Sequence, residues 1–214
     1  MPPPPLVICF GDSLTVGYQS PAPGSFAIRE TPYGDFLQER LGARATVRVS
    51  GICGEVTGEM VLRFRTDVLQ PAPRYVVILG GTNDLGWNAE PAEIFRNLTK
   101  IYEQACAAEI QPVAVTVPSI RADDPDGGGE EGRAWLDGHI VRRQLLNGLI
   151  AEYAATKGLP CVDLFRATSD PQTLRLMPQY SNDGLHLTTA GYRRLADLLY
   201  EQVFASAFAE EGKR

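Results

Sequence analysis

The chain has 214 residues, of which 44% are hydrophobic and 21% are charged, and this composition is typical of a globular protein. Its formal net charge of −6 at pH 7 means that the chain lacks the excess of positive charge that is typical of nucleic-acid-binding proteins. The same negative charge disfavours contact with an anionic membrane surface. No apolar run approaches the roughly 20 residues that a membrane-spanning helix needs, so we expect no insertion into a membrane. The length fits one domain, which we place over residues 1–214 with a core at about 6–208.

The N-terminus and the cysteines bear on the cellular compartment. Met1 is followed by four prolines rather than by the basic region of a secretory signal. The four cysteines form no Cys-x-x-Cys pair, so reduced thiols are expected, and neither a zinc site nor a redox motif is indicated. These features predict a cytoplasmic protein, or a secreted one if a signal has been removed from a longer precursor.

The first predicted strand covers residues 7–10, whose sequence Val-Ile-Cys-Phe runs directly into Gly-Asp-Ser-Leu at 11–14. An apolar run that is bounded by turn residues is typical of a buried strand. Ser13 therefore follows the carboxyl end of this strand, which is the edge where open α/β sheets bind their ligands.

Predicted helices and strands alternate along the rest of the chain. Apolar side chains at helical spacing predict helices, and short apolar or β-branched runs predict strands. The predicted helices cover residues 33–41, 60–69, 90–109, 139–157 and 189–208, and the further strands cover residues 45–49, 74–79, 112–117 and 160–164. Gly51 lies in the loop after the second strand, and Asn83 lies in the loop after the third.

Residues 121–132 form an acidic, glycine-rich loop in this prediction, and its central part, residues 123–131, reads Asp-Asp-Pro-Asp-Gly-Gly-Gly-Glu-Glu. A loop of this length is compatible with a lid over a binding site. Its composition favours a flexible, solvated insertion instead.

The alternation of strands and helices predicts an α/β protein with a parallel sheet that is covered by helices on both faces. Right-handed crossovers leave few possible topologies. We predict a three-layer α/β/α sandwich of the flavodoxin-like type, with a five-stranded parallel sheet in the order 2-1-3-4-5.

Ser13 needs a neighbouring base before its hydroxyl can act as a nucleophile. Of the two histidines, His139 begins a predicted helix and is expected at the surface, whereas His186 precedes the last helix and has Asp183 three residues before it. An acid at that spacing can hold the imidazole in one tautomer and stabilise its charged form. The sequence therefore predicts Ser13 as nucleophile, His186 as base and Asp183 as the orienting acid.

A tetrahedral intermediate also needs hydrogen-bond donors for its oxyanion. Gly51 can present a backbone N–H at close range because it has no side chain. Asn83 can supply its side-chain amide, and the backbone N–H of Ser13 is the third candidate. The sequence therefore predicts an oxyanion hole formed by Ser13, Gly51 and Asn83.

Four segments together resemble the sequence blocks of the SGNH (GDSL-type) hydrolase family, in the same order and over essentially the whole chain. They are Gly-Asp-Ser-Leu at 11–14, Gly51, Gly-Thr-Asn-Asp at 81–84 and Asp-Gly-Leu-His at 183–186. The resemblance implies the same sandwich fold, the same triad and oxyanion residues, and hydrolysis of esters or thioesters without a metal. The chain departs from the family at Val49, where many members carry asparagine two residues before the glycine.

We therefore expect a serine hydrolase that cleaves small or short-acyl soluble carboxylic esters through an acyl-enzyme. The alternatives are a carbohydrate O-acetylesterase, a lysophospholipase or thioesterase, and a binding module without turnover. No cofactor is expected, and two histidines without a chelating pair indicate no metal site. The expected partner is a small-molecule ester, and the sequence does not predict the oligomeric state.

Overall fold

A five-stranded parallel sheet forms the centre of the protein in the computed structural model, which describes residues 3–122 and 129–209. Its strands are β1 (Leu6–Gly11), β2 (Thr46–Gly51), β3 (Tyr75–Leu79), β4 (Gln111–Val115) and β5 (Cys161–Val162). They lie in the predicted order 2-1-3-4-5. Two short strands, Tyr18–Gln19 and Arg29–Glu30, pair as a separate antiparallel ribbon. If they are counted, the same order reads 4-1-5-6-7.

Helices cover both faces of the sheet. They are α1 (Ser13–Val16), α2 (Tyr33–Leu41), α3 (Thr57–Phe64), α4 (Thr82–Gly86), α5 (Pro91–Ala107), α6 (Gly129–Lys157), α7 (Leu164–Thr168), α8 (Thr189–Leu199) and α9 (Ala205–Ala207). Helix α3 continues through a π-helical segment at Arg65–Leu69, and α8 does so at Tyr200–Phe204. Single 3-10 turns lie at Gly42–Arg44 and Pro178–Tyr180. None of these helices in the described ranges is both long and apolar enough to cross a bilayer.

Successive side chains of β1 enter two different cores, because the side chains of a strand alternate between the faces of its sheet. Val7 and Cys9 pack with residues of α2 and α8, whereas Ile8 and Phe10 pack with residues of α3, α5 and α6. All four are fully buried. The continuous apolar run at the start of the chain is therefore explained by helices on both faces, and the predicted three-layer sandwich is confirmed.

The main error of the sequence prediction concerns α6, which begins at Gly129 rather than at about residue 139. Glycines at 129, 132 and 138 weaken the helical pattern there, because glycine has a low helix propensity. As a consequence, His139 lies inside the helix and is buried rather than at the surface. Residues 129–131 of the predicted acidic loop form the first turn of α6, and residues 123–128 lie outside the described residues.

Three short helices that follow strand ends were not predicted from the sequence. They are α1 after β1, α4 after β3, and α7 after β5, each only four or five residues long. Segments this short carry too few residues for a helical period to be recognised. Two of them carry predicted site residues in their first turn, Ser13 as the first residue of α1 and Asn83 as the second residue of α4, and so hold them at the carboxyl edge of the sheet.

Candidate active site

Ser13 is the first residue of α1 and lies directly after β1, at the carboxyl edge of the sheet. The preceding residue, Asp12, caps the helix by accepting a 2.9 Å hydrogen bond from the backbone N–H of Leu14. Only 6% of the Ser13 surface is exposed. Because the first N–H groups of a helix have no partner within the helix, the amide of Ser13 is available to a ligand beside its own hydroxyl.

His186 and Asp183 form the pair that their spacing predicts. The distance from His186 Nδ1 to Asp183 Oδ2 is 2.8 Å. An ionised carboxylate can only accept hydrogen bonds, so the Nδ1 atom carries the proton in this contact. In the neutral imidazole the Nε2 atom is then unprotonated, which is the state that a general base requires.

Asp183 is held in its ionised form by several donors. Its Oδ1 atom accepts the backbone N–H groups of Leu185 (2.9 Å) and His186 (2.8 Å), and Ser20 donates its hydroxyl to Oδ2. Burial alone would raise the pKa of Asp183, but the hydrogen bonds from His186, Ser20 and these amides outweigh it and hold the pKa well below its ordinary value. The carboxylate is therefore charged throughout the neutral range.

The segment that follows α1 joins Ser13 to the Asp183–His186 pair. The ring of Tyr18 contacts the ring of His186 edge-on, with 4.6 Å between centroids. Gln19 exchanges two hydrogen bonds with Thr189, of 2.9 and 3.0 Å. Further contacts tie Ser20 to the same region, where it donates to Asp183 and accepts from Asn182 at 2.8 Å. These contacts bring together two parts of the site that are more than 160 residues apart in the chain.

Asn83 lies in α4 and is linked to the loop that follows β2. Its Nδ2 atom donates a 2.9 Å hydrogen bond to the carbonyl oxygen of Glu55. The next residue, Asp84, accepts from the backbone N–H and the hydroxyl of Thr57, with distances of 2.6 to 3.1 Å. Since an amide nitrogen carries two protons, Asn83 keeps a second donor after the contact with Glu55.

The geometry of Gly51 differs from the expectation. A Cβ atom at this position would lie 2.6 Å from Val16 N and 2.9 Å from Asp12 O, so the glycine is needed for close packing of β2 against α1. The N–H of Ile52 donates to Gly11 O at 3.0 Å. Neighbouring N–H groups of a strand point in opposite directions, so the amide of Gly51 faces away from β1. The oxyanion role of Gly51 stays a prediction that this geometry disfavours.

Gly54 is the glycine of this loop that lies next to the Asn83 contact. It adopts a left-handed conformation with φ of +80° in a turn closed by a 3.3 Å hydrogen bond from Glu55 N to Ile52 O. The space over its α carbon is open. Gly54 is not among the residues predicted from the sequence, although its position before Glu55 in a glycine-bearing loop could have indicated it.

Arg63 of α3 supports the strand ends beneath the site. Its guanidinium donates to Gly11 O at 3.0 Å and to Ser50 Oγ at 2.8 Å, and forms an ion pair with Glu55. It also lies 4.1 Å above the centroid of the Phe10 ring. One side chain thus fixes β1, β2 and the loop after β2 relative to each other, and no local sequence signal pointed to it.

The Asp12 carboxyl, directly before Ser13 in the chain, is fully buried. Burial raises its pKa from 3.8 to about 7, against the opposing effects of the Leu14 hydrogen bond and the His186 charge. At pH values between 3.8 and about 7, Asp12 keeps its proton in the folded protein but has released it in the unfolded chain. The free energy of unfolding therefore falls as the pH rises through this window, by about 1.4 kcal/mol per unit.

Asp12→Asn is expected to remove this pH dependence, because an amide keeps the capping oxygen but has no proton to lose. Urea unfolding at pH 5 and pH 8 measures the effect. The stability of the variant relative to the wild type should increase by about 2–3 kcal/mol between these two pH values. Parallel stability curves for the two proteins would contradict the assignment.

The structure thus places Ser13, Asp183, His186 and Asn83 at one edge of the sheet, joined by the contacts of Tyr18–Gln19, Ser20 and the loop after β2. Tyr18 and Ser20 were not predicted from the sequence, because Tyr18 belongs to a strand of only two residues and Ser20 to the loop after it, and neither segment has a recognisable pattern. In residues 3–122 and 129–209, no group of three or more His, Cys, Asp or Glu side chains could hold a metal ion.

A three-layer sandwich that carries a serine and a hydrogen-bonded Asp–His pair at the carboxyl edge of its sheet defines a hydrolase. Residues 9–194 match the GDSL-like lipase/acylhydrolase family, and the chain belongs to this family.

Comparison with individual proteins agrees with this assignment. A GDSL-like lipase from Bacteroides thetaiotaomicron VPI-5482 has a similar structure, with a TM-score of 0.72, 25% identity and coverage of 94% of this chain and 88% of that one. A lipase/acylhydrolase from Enterococcus faecalis has a TM-score of 0.72 at 26% identity, covering 94% and 96% of the two chains. The uncharacterized lipoprotein YqeF of Bacillus subtilis is 30% identical over 128 residues, which are 55% of this chain. The match spans half the length of that relative.

Proposed function

We propose that this hydrolase cleaves carboxylic esters through an acyl-enzyme on Ser13. The observation that carries the proposal is the 2.8 Å contact between His186 Nδ1 and Asp183, held next to the Ser13 strand end by residues 18–20. This contact leaves Nε2 of the imidazole as the atom that accepts the serine proton.

The proposed reaction has two halves. The Ser13 oxygen attacks the ester carbonyl while His186 takes its proton, and the imidazolium then protonates the departing alcohol. In the second half, His186 takes a proton from water as the water attacks the acyl group, and the imidazolium then returns the proton to the departing Ser13 oxygen, which releases the acid and restores the free enzyme. The Asp183 carboxylate stabilises the imidazolium in both halves.

The oxyanion is stabilised by hydrogen-bond donors that do not have to move during the reaction. We assign this role to the backbone N–H of Ser13 and to the second amide proton of Asn83. The third donor is a backbone N–H of the loop after β2, where Gly54 fits better than the predicted Gly51 because it lies beside the Asn83 contact.

Small or short-acyl esters are the proposed substrates, and acyl chain length distinguishes the alternatives. A panel of p-nitrophenyl esters from acetyl to palmitoyl, together with acetylated sugars, measures kcat/KM for each class. We expect the highest values for acyl chains of two to about six carbons, because the cavity beside the site has a volume of about 400 Å³. Activity confined to acetylated sugars would indicate a carbohydrate O-acetylesterase, and a maximum at long chains would indicate a lysophospholipase or thioesterase.

The predicted cytoplasmic location stays a proposal alongside the function. One relative, YqeF, is named a lipoprotein. Fractionation of cells that express the natural gene tests the location directly. We expect the esterase activity in the cytoplasmic fraction. Recovery of the activity from the membrane fraction or the medium would contradict this proposal.

A further inference from the structure

A cavity of about 400 Å³ lies beside the catalytic residues, between α4, α6 and the segment that follows β4. Asn83 and Asp183 belong to its lining, so the cavity borders the site directly. Trp87 and Trp135 also line it, and their side chains are 80% and 59% exposed. Two indole rings that face solvent at the edge of a cavity offer large apolar surfaces to a ligand.

Arg143 of α6 is the unusual member of this lining. Only 2% of its surface is exposed. Its Nε atom donates a 3.2 Å hydrogen bond to Pro118 O, and its Nη1 atom is enclosed without a hydrogen-bond partner among the described residues. Burial and the charge of Arg142 lower its pKa to about 10, so the guanidinium remains a cation at neutral pH.

The residues that the structure describes around Arg143 do not neutralise this cation. Among the described residues no carboxylate forms an ion pair with Arg143, and the carboxylate in the cavity lining, Asp183, already accepts hydrogen bonds from His186 and Ser20. His139 lies on the same wall, and burial together with Arg143 and Arg142 lowers its pKa, which favours the neutral imidazole. A buried guanidinium without a counter-charge is unfavourable unless a ligand supplies one.

We propose that Arg143 is a specificity-determining residue and that the cavity receives a carboxylate carried by the ester substrate. A planar carboxylate matches the donor geometry of a guanidinium, and the neutral His139 can add a further hydrogen bond. The rings of Trp87 and Trp135, which line the same cavity, can contact the apolar part of the substrate. This inference rests on the proposed function and narrows its substrate class to anionic esters.

Two matched pairs of esters test the proposal, one for each side of the scissile bond. The acyl-side pair is p-nitrophenyl hydrogen glutarate and its methyl-capped form. The alcohol-side pair is 4-acetoxybenzoate and its methyl ester. In at least one pair, the wild type should hydrolyse the anionic member with a kcat/KM about tenfold or more above the neutral member, as expected for a hydrogen bond to a charged group.

In the variant Arg143→Gln, the ratio of kcat/KM for the anionic ester to kcat/KM for its neutral partner should fall close to one. Arg142→Gln is the matched control, because it removes the same charge from the neighbouring position of α6, where the side chain bonds Asn88 and Ala89 outside the cavity lining. The ratio of the control should stay within about twofold of the wild type, since it loses no contact to the substrate. A preference that persists in Arg143→Gln, or that is lost equally in Arg142→Gln, would overturn the proposal.

Inhibition of the wild type provides a second measurement that does not depend on the folding of a variant. Glutarate should inhibit hydrolysis of a neutral ester at least about tenfold more strongly than its uncharged diamide. Equal inhibition by both compounds, or equal rates within both ester pairs, would refute the anionic subsite. If neutral esters are nevertheless cleaved in a Ser13-dependent manner, the proposed function stands and only this inference fails.

Discussion

Ser13→Ala is expected to lower kcat/KM for a short-chain p-nitrophenyl ester by roughly 10⁴- to 10⁶-fold. The substitution removes the oxygen that we propose attacks the carbonyl, but it keeps the backbone N–H of position 13 and the Asp12 cap of α1. The residual rate then comes from the oxyanion donors and from binding alone. Initial rates at matched protein concentrations measure the loss, and unchanged circular dichroism shows that the variant is folded.

Ser206→Ala serves as the matched control for this loss. Ser206 is an exposed serine near the end of the described chain that donates to Val203 O, and its removal should leave the activity unchanged. An organophosphonate probe should label the wild type at Ser13 and leave the Ser13→Ala variant unlabelled. Full esterase activity in that variant would show that the nucleophile has been assigned to the wrong residue.

Asp183→Asn should have the second-largest effect, with kcat reduced by about 10³- to 10⁴-fold and KM changed little. An asparagine at this position can turn its NH₂ group toward His186, which favours the imidazole tautomer with the proton on Nε2. That tautomer cannot take the serine proton. The variant also loses the charge that stabilises the imidazolium, so the transition state is affected more than substrate binding.

The control for Asp183→Asn is Asp197→Asn on α8, which removes a carboxylate that pairs with Arg40 at the surface. Surface ion pairs contribute little to stability, so this variant should keep its activity and its melting temperature within a few degrees. A rise in KM with unchanged kcat in Asp183→Asn would mean that the carboxylate binds substrate rather than orienting His186.

The two-sided packing could be predicted from the sequence because it depends on a strong local pattern, and the strand order could be predicted because right-handed crossovers leave few topologies for alternating strands and helices. The fully apolar run at residues 7–10 requires helices on both faces, and these are present. The start of α6 could not be predicted, because its first turns are rich in glycine and acidic residues and lack a helical pattern. That helix forms nevertheless, since Leu136 and Ile140 are buried in tertiary packing.

The same distinction between predictable and unpredictable features applies to the candidate site. The triad residues could be proposed from short motifs and from the rule that parallel strands end at one edge of the sheet. That the geometry disfavours the predicted role of Gly51 could not be foreseen, because the direction of a single backbone N–H depends on how β2 pairs with β1. The role of Ser20 depends on a contact with Asp183 across 163 positions of the chain, for which no local signal exists.

The sequence by itself therefore determined the fold class, the family and the candidates Ser13, Asp183 and His186, since each is marked by a local pattern or by its place after a strand. Only the tertiary structure decided which groups are buried and what lies against them. Burial raises the pKa of Asp12, His139 is buried within α6, and Arg143 is buried with no ion pair to a carboxylate of residues 3–122 or 129–209. The physical reason is that desolvation and charge pairing depend on neighbours from distant parts of the chain.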